Sequence, residues 1–156
     1  MSISFETITE ETLYIALEII NSNPEYNLRG YNKELRSSEE LRLELLNDNT
    51  ISAFIKLDDT YIGIIDYLTN NPKDNYPWLG LILIHRDYQG YGFGSLAYTL
   101  FETEYLKSDV IRIGVLKENV NARSFWEGKE FIYYQTVVND RGKEVDCFEK
   151  KLSRDE

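Results

Sequence analysis

The chain has 156 residues, about the size of one domain, and its 42% hydrophobic and 28% charged residues exclude a disordered or collagen-like protein. Its 17 Lys and Arg against 27 Asp and Glu leave a net charge of −10, which disfavours nucleic acid as a partner. One histidine and one cysteine are too few for a zinc site, so no metal is expected. No apolar run approaches the ~20 residues of a membrane span and the N-terminus lacks a secretory signal pattern, so we predict one cytoplasmic domain over residues 1–156, without a membrane partner.

The apolar residues of the first half follow helical and strand periods in turn, which predicts a layered mixture of helices and strands. Two Ser/Thr-x-x-Glu patterns, Thr7 with Glu10 and Ser37 with Glu40, indicate helix starts because such side chains cap free backbone N–H groups. A short polar turn between two β-rich runs predicts an antiparallel hairpin. The predicted elements are a strand at 3–8, a helix ending near residue 21, a loop at 26–36, a helix from 37, and strands at 51–57 and 61–68.

The second half contains a nearly unbroken apolar run, which is typical of a central strand buried on both faces. A glycine-rich turn, a helix and a further strand follow it, and this order predicts a parallel crossover unit. A turn-rich segment near the C-terminus predicts a closing hairpin. The predicted elements are a loop at 69–77, a strand at 78–84, a helix at 95–107, a strand at 110–115, a short helix capped by Asn121, and strands at 131–138 and 145–151.

Between the central strand and the next helix, the segment 86–95 carries Gly90, Gly92 and Gly94. Such a turn leaves backbone N–H groups uncovered, and a helix N-terminus attracts anions, so a diphosphate can bind without a lysine. A tight turn in which glycine only supplies positive φ is the alternative interpretation. The Walker pattern is excluded because no Gly-Lys-Ser/Thr follows, whereas Gly92-x-Gly94-x-x-Ala97 matches the dinucleotide fingerprint and leaves a nicotinamide-dependent reductase open.

Two segments carry a family resemblance. Gln89-Gly-Tyr-Gly-Phe-Gly94 fits the Q/R-x-x-G-x-G/A motif of the GNAT superfamily of acyl-coenzyme A-dependent N-acyltransferases, and Asn119-x-x-Ala-x-x-Phe-Trp126 resembles its N-x-x-A-x-x-Φ-Y/W segment. The resemblance implies an α/β (α+β) GNAT-like domain with a mixed, mostly antiparallel sheet, a splayed parallel pair and about four helices. It also implies transfer of acetyl from acetyl-coenzyme A to a primary amine of a small molecule or peptide, by direct attack in a ternary complex. A homodimer through the C-terminal hairpin or the helices is a habit of the family.

By the same resemblance, coenzyme A lies along the central strand and over the glycine turn. The coenzyme-binding residues so implied are Ile82, Leu83, Ile84, Gln89, Gly90, Tyr91, Gly92, Phe93, Gly94, Ser95, Asn119 and Phe125. Asn121 is an alternative to Asn119. The thioester carbonyl is expected against the backbone N–H of Leu83 or Ile84, a donor of the oxyanion type that leaves no side-chain signature.

The sequence identifies the general acid and the general base less specifically than the coenzyme-binding loop. Trp126 stands where the family often has tyrosine, and an indole is no acid near neutral pH, so the thiolate leaves with help from water unless Tyr133 or Tyr134 substitutes. Asp66, within the strand at 61–68, is predicted as a water-linked general base, with Asp74 as the alternative. The Trp126 substitution also keeps open a coenzyme A-binding sensor or regulatory module without turnover.

Three further residues invite a chemical role that the sequence does not favour. His85 lies between the central strand and the glycine turn, and a structural role is predicted for it. Cys147 is predicted to be a packed side chain, because no second base accompanies it. Glu130 replaces a glycine of the family pattern, which predicts a different turn there.

Overall fold

The computed structural model describes residues 2–153, so Met1 and residues 154–156 of the predicted domain lie outside the described residues. Within that range the α-helices are α1 (Leu13–Asn21), α2 (Pro24–Tyr31), α3 (Ser38–Leu45), α4 (Phe93–Leu100) and α5 (Val120–Gly128). The strands are β1 (Ile3–Thr7), β2 (Ile51–Leu57), β3 (Thr60–Asn71), β4 (Tyr76–Ile84), β5 (Val110–Leu116), β6 (Ile132–Val138) and β7 (Glu144–Lys151).

The strands form one sheet in the order β1-β2-β3-β4-β5-β7-β6. Strands β4 and β5 are parallel, and Trp78 pairs with Arg112 and Leu79 with Ile113. The pairs β1–β2, β2–β3, β5–β7 and β6–β7 are antiparallel. This mixed, mostly antiparallel sheet with one parallel pair confirms the predicted fold class, with five α-helices where about four were expected.

Contacts divide the chain into two compact units, which we describe separately. The first unit comprises 1–68 and 81–106, and the second comprises 69–80 and 107–156. The first unit contains 16 Asp and Glu but only six Lys and Arg, whereas the second contains 11 of each. The sequence of the first unit therefore accounts for the whole net charge of −10.

The core of the first unit lies between its helices and one face of its strands. Its buried residues are Ile8, Leu13, Ala16, Ile19, Ile20, Leu41, Leu45, Phe54, Ile64 and Leu83. Burial of each of the Leu, Ile and Phe side chains contributes roughly 1.5–3 kcal/mol, so this cluster holds α1 and α3 against the sheet. The position of β4, which supplies Leu83, is thereby fixed.

Helix α2 corrects the prediction of a loop at 26–36. Pro24 is its first residue, where the missing N–H and fixed φ suit a helix start. The buried residues of α2 are Asn27 and Gly30, so no apolar period marks it in the sequence. The Asn27 Nδ2 donates to the Ile20 carbonyl at 3.2 Å and to the Glu34 carbonyl at 2.8 Å, which explains why a polar residue is buried there.

One predicted capping box is confirmed and the other is displaced. The Ser37 Oγ accepts from the Glu40 N–H at 3.2 Å, and the Ser37 N–H donates to the Glu40 carboxylate at 3.2 Å. The first box is formed by Thr9 and Thr12, not by Thr7 and Glu10, since Thr9 N donates to Thr12 Oγ1 at 2.9 Å. Thr7 is still paired within β1, which prevents it from starting a helix.

The predicted loop at 69–77 is mostly strand. β3 runs to Asn71 and β4 begins at Tyr76, with a turn closed by the Asn75 N–H donating to the Asn71 carbonyl at 2.7 Å. Pro77 lies buried inside β4, a position that a strand tolerates only where no ladder donor is needed. The prolines and asparagines therefore mark a tight turn within a long hairpin.

The helix after the glycines begins two residues earlier than predicted, and its last turn is π-helical. α4 ends at Leu100 and a π-turn follows over Phe101–Tyr105, closed by the Leu106 N–H donating to the Phe101 carbonyl at 2.9 Å. The Phe101 ring packs against Tyr67, with ring centroids 4.9 Å apart. This contact places the end of the helix against β3.

The start and end of α5 differ from their predicted forms. Asn119, not Asn121, caps the helix, because its Oδ1 accepts from the Ala122 N–H at 3.2 Å. Glu130 has a φ of +73°, in the left-handed region that glycine favours. Replacement of a glycine by Glu130 therefore does not by itself require another backbone conformation.

Candidate active site

The glycine loop, residues 89–95, joins the end of β4 to α4 and leaves open space around its backbone. Gly90 and Gly92 have φ values of +87° and +82°, a conformation that strains other residues. Among the described residues, no heavy atom lies within 4 Å of a Cβ added at either position. Gly92 is the N-cap residue of α4 and supplies no side-chain acceptor to the first N–H groups of this helix.

The glycine loop and the helix that follows it contain no charged residue. No Lys, Arg, Asp or Glu occurs from Tyr88 to Phe101. The attraction for an anion therefore comes from oriented N–H groups and the start of the helix, which together carry about half a positive charge. The geometry suits the diphosphate that the sequence predicts at this turn.

Side chains from the α1–α2 junction anchor the loop. The Gln89 Nε2 donates to the Asn23 Oδ1 at 2.6 Å and to the Ile84 carbonyl at 2.8 Å. The Asn23 Nδ2 donates to the same carbonyl at 3.2 Å, and the Arg86 N–H donates to the Ser22 Oγ at 3.1 Å. The Gln89 side chain therefore holds the loop in place. The predicted contact of Gln89 with the coenzyme then falls to the backbone of this residue.

His85 has both ring nitrogens engaged. Its Nδ1 accepts from the Asp87 N–H at 3.1 Å, which makes Nε2 the donor to the Glu18 carboxylate, also at 3.1 Å. Its backbone N–H donates to the Ile62 carbonyl at 2.7 Å. This arrangement agrees with the predicted structural role and leaves no free nitrogen for a general base.

The end of β4 presents alternate backbone groups to its two sides. A Cβ added at Gly63 would lie 2.6 Å from the Leu83 carbonyl oxygen, so that carbonyl points toward β3. The Ile84 carbonyl instead accepts from the side chains of Asn23 and Gln89. Since N–H and C=O of one residue point to the same side of a strand, the N–H of Ile84, and not that of Leu83, faces away from β3.

Asp66 is a half-buried carboxylate in β3. Its Oδ1 accepts from the Ser52 Oγ at 3.2 Å and from the Thr50 Oγ1, while no residue in the described range 2–153 donates to Oδ2. Burial raises the pKa of Asp66 to about 6, and the charge of Glu44 acts in the same direction. The group is therefore ionised at neutral pH and has one oxygen able to accept a proton.

In the second unit, the alternative base Asp74 is fully engaged. Its Oδ2 accepts from Trp78 Nε1 at 2.8 Å and from Arg112 Nη1 at 3.1 Å, and its Oδ1 accepts from the Tyr76 N–H at 3.0 Å. The Arg112 guanidinium lies 3.7 Å from the Tyr76 ring centroid and pairs with Glu149 at 2.8 Å. An internal cation thus occupies this acidic, aromatic cluster, which disfavours Asp74 as a base.

The remaining predicted site residues of the second unit lie on α5 and β6. The Asn119 Oδ1 caps α5, so only its amide nitrogen is left for a ligand. Phe125 packs edge-on against Trp126, with ring centroids 4.8 Å apart. Tyr133 bonds Thr136 at 2.8 Å. Desolvation raises the pKa of Tyr134 to about 12, which makes it a poorer acid than a free tyrosine.

Three other features of the described residues bear on the sequence predictions. Among residues 2–153, no three His, Cys, Asp or Glu side chains come together as a metal site would require. Each helix in this range is too short or too polar to cross a bilayer. Cys147 is buried, and this burial raises the pKa of its thiol, as expected of a packed side chain.

Residues 14–131 match the model of the Acetyltransferase (GNAT) family, a stretch that includes the glycine loop and the Asn119 segment. The chain belongs to this family. The match confirms the predicted resemblance and the class of enzyme, and it leaves the acceptor undefined. No curated protein matches the chain.

Solved structures share the fold along almost the whole chain. An acetyltransferase from Thermus thermophilus is 21% identical with a TM-score of 0.82, over 97% of this chain and 98% of that chain. A spermidine N-acetyltransferase from Vibrio cholerae, solved with CoA and spermine, is 18% identical with a TM-score of 0.70, over 96% and 95%. A ribosomal-protein-alanine N-acetyltransferase from Brucella melitensis is 20% identical with a TM-score of 0.70, over 96% and 99%. At sequence identities this low, the similarity shows a shared fold alone.

Three anchoring residues of the site, Glu18, Ser22 and Asn23, were not predicted from the sequence. They bond to residues 85, 86 and 89, more than 60 positions further along the chain. The sequence signal at this point, Asn-Ser-Asn-Pro, indicates only the end of a helix. Its partners become visible only once α1 is packed on β4.

Proposed function

We propose that this protein transfers the acetyl group of acetyl-coenzyme A to a primary amine of a small molecule or peptide, by direct attack in a ternary complex. The observation that carries the proposal is the uncharged glycine loop with open space at Gly90 and Gly92, in a chain of an acetyltransferase family. The similar structures named above include enzymes that acetylate spermidine and a ribosomal protein. Both acceptors are amines.

In this proposal the coenzyme follows β4 and crosses the loop. The diphosphate binds the N–H groups of residues 90–95, and the pantetheine arm extends beside Ile82. The N–H of Ile84 lies on the same side of the strand as its carbonyl, away from β3, so we assign it as the donor to the thioester carbonyl. This assignment prefers Ile84 to Leu83, whose backbone faces β3. Asn119 and Phe125 remain predicted contacts of the coenzyme.

The reaction forms a C–N bond and breaks the C–S bond of the thioester. The amine loses its proton to Asp66 through water, because the raised pKa of Asp66 suits a base near neutral pH and its Oδ2 accepts no hydrogen bond from residues 2–153. The thiolate leaves as such and takes a proton from solvent, since Trp126 is not an acid and the pKa of Tyr134 is raised. No other cofactor or metal is required.

The charge distribution supports a cationic acceptor. The first unit carries 16 acidic and six basic residues, and it also contains the glycine loop and Asp66. An acidic surface raises the local concentration of a cationic substrate and speeds its encounter. We therefore place polyamines and peptide N-termini ahead of neutral acceptors.

Calorimetric titration with acetyl-coenzyme A, followed by thiol release on addition of an amine panel, tests this function. We expect micromolar binding of acetyl-coenzyme A, no binding of NADH, and thiol release with a cationic amine. Binding without release from any amine would favour the sensor or regulatory module. Preferential binding of NADH would instead favour the reductase.

Asp66→Asn is expected to raise stability at neutral pH and to lower activity. The folded-state pKa of Asp66 lies above its unfolded value, so its ionisation costs stability, and this cost develops as pH rises from about 4 to about 6. Asparagine removes a cost of about 3 kcal/mol at pH 7 and still accepts from Ser52. Activity should fall roughly 100-fold or more if Asp66 is the base.

Urea unfolding at pH 4 and pH 7, together with the pH dependence of kcat/KM, measures both effects. The stability gain should be present at pH 7 and absent at pH 4. Asp59→Asn, at an exposed turn of the same unit, is the control and should change neither quantity. Full activity of Asp66→Asn with an unchanged pH profile would rule out the base assignment.

A further inference from the structure

Helix α5 contributes no buried side chain to the hydrophobic core. None of its nine residues is buried, whereas the equally long helix α1 buries Leu13, Ala16, Ile19 and Ile20. Burial of an apolar face is the usual means by which a helix is fixed on a sheet. Other contacts must therefore contribute more to the position of α5 than they do to that of α1.

The two ends of α5 are joined to residues that are close in the chain. Asn119 accepts from the Ala122 N–H, and the Trp126 ring packs against Phe131 with ring centroids 5.2 Å apart. The Phe131 N–H also donates to the Trp126 carbonyl, at 3.1 Å. These contacts span five residues or fewer, so they connect the helix mainly to its own continuation.

Arg123, in the middle of α5, connects the helix to the C-terminal hairpin. Its Nη1 donates to the Asp146 Oδ2 at 2.8 Å, across 23 positions of the chain. Asp146 lies in β7 and is only 3% exposed. The guanidinium carbon also lies 5.3 Å from the Phe148 ring centroid and 5.6 Å from that of Tyr133, within the range of a cation–π attraction. Because the carboxylate is buried, solvent ions screen this pair less than they screen a surface pair.

Two hydroxyl groups of β6 hold the other oxygen of the Asp146 carboxylate. Its Oδ1 accepts from the Thr136 Oγ1 at 2.6 Å. Because Thr136 gives its proton to Asp146, it accepts from the Tyr133 hydroxyl, 2.8 Å away. The two oxygens of Asp146 thus have donors from two elements, β6 and α5. The carboxylate joins the helix to both strands of the hairpin.

We propose that Arg123 and Asp146 are positioning residues, whose ion pair holds α5 against the β6–β7 hairpin in the placement that binds the coenzyme. This inference rests on the proposed function, in which Asn119 and Phe125 contact acetyl-coenzyme A. Without the ion pair, α5 occupies its binding placement for a smaller fraction of the time, and the apparent affinity falls by that fraction. Bound coenzyme restores the placement, so turnover at saturation is retained.

Calorimetry with acetyl-coenzyme A and hydrogen exchange of the amides of 120–128, both on the full chain, test the ion pair. The double variant Arg123→Met, Asp146→Asn removes both charges, so no buried charge is left unpaired, and the amide oxygen at position 146 can still accept from Thr136. We expect about ten-fold weaker binding than in the wild type. We also expect faster exchange of 120–128, which saturating coenzyme returns to the wild-type rate.

Steady-state kinetics separate positioning from a catalytic role. With an amine that the wild type acetylates, the KM for acetyl-coenzyme A of the double variant should rise by the same factor, and kcat should stay within about two-fold. Glu127→Gln is the matched control, because Glu127 is a second ion-pair partner of Arg123, at 3.6 Å, with a side chain that is 52% exposed. It should behave as the wild type does, since an exposed pair within one helix contributes little.

Several outcomes would overturn the inference. They are wild-type affinity in a folded double variant, weaker binding with unchanged exchange of 120–128, and a lower kcat at unchanged KM. If the double variant does not fold, Thr136→Val decides, because it removes the donor to the Asp146 Oδ1 with little change in shape. Weaker binding with faster exchange of 120–128 in this variant supports the inference, and unchanged binding contradicts it. Failure of the wild type itself to bind acetyl-coenzyme A would overturn the proposed function, and this inference with it.

Discussion

Gly94→Val is expected to abolish acetyl-coenzyme A binding while the fold persists. Gly94 lies in the first turn of α4, and its φ is not in the left-handed region. An added Cβ would meet only the Ile84 Cγ1, at 3.8 Å, an ordinary van der Waals distance. The valine side chain would fill space between the start of α4 and the end of β4, where we place the coenzyme, and we expect at least about 100-fold weaker binding, about 2.7 kcal/mol.

Calorimetry with acetyl-coenzyme A and thermal unfolding measure this pair of effects. Gly128→Val is the matched control, because Gly128 is also at an open helical position, with no heavy atom of the described chain within 4 Å of its added Cβ. It should bind the coenzyme as wild type does. Gly92→Val is a less clean test, since its φ of +82° strains any side chain. Normal binding by Gly94→Val would show that the coenzyme lies elsewhere.

Gly63→Ala is expected to be the most destabilising small substitution in the first unit. The new Cβ would lie 2.6 Å from the Leu83 carbonyl oxygen and 3.0 Å from the Ile84 Cδ1, so β3 and β4 must move apart. Overpacking of this kind costs about 3 kcal/mol, which corresponds to a fall in Tm of about 10 °C for a chain of this length.

Urea and thermal unfolding measure the loss of stability, which is compared with that of two other glycine-to-alanine variants. Gly114→Ala in β5 would meet the Val145 Cγ1 at 2.9 Å, a methyl group that can move, so a smaller loss is expected. Gly128→Ala meets no heavy atom of residues 2–153 and should gain some stability from helix propensity. Equal stability of all three variants would mean that the approach of Gly63 to Leu83 is not tight in solution.

Local chemistry explains which predictions from the sequence succeeded. The glycine loop is recognisable from the sequence because Gly90 and Gly92 adopt positive φ, a conformation that favours glycine whatever the rest of the fold is. The Ser37 capping box and the β2–β3 hairpin were recognisable for the same reason. The helix α2 was missed because its buried positions, Asn27 and Gly30, break the apolar period on which helix prediction depends.

The sequence by itself determined the crossover unit, the neutral glycine loop at its helix start, and the family, since each depends on residues close together in the chain. Tertiary structure alone decided that Gln89 donates to Asn23 and that the Leu83 carbonyl faces β3 while the N–H of Ile84 does not. It also decided that Asp66 is half-buried with a raised pKa. These properties depend on which distant strands and helices meet, and hydrophobic periodicity does not specify the partner of a polar group. The candidate loop was therefore predictable, whereas the roles of the residues around it were not.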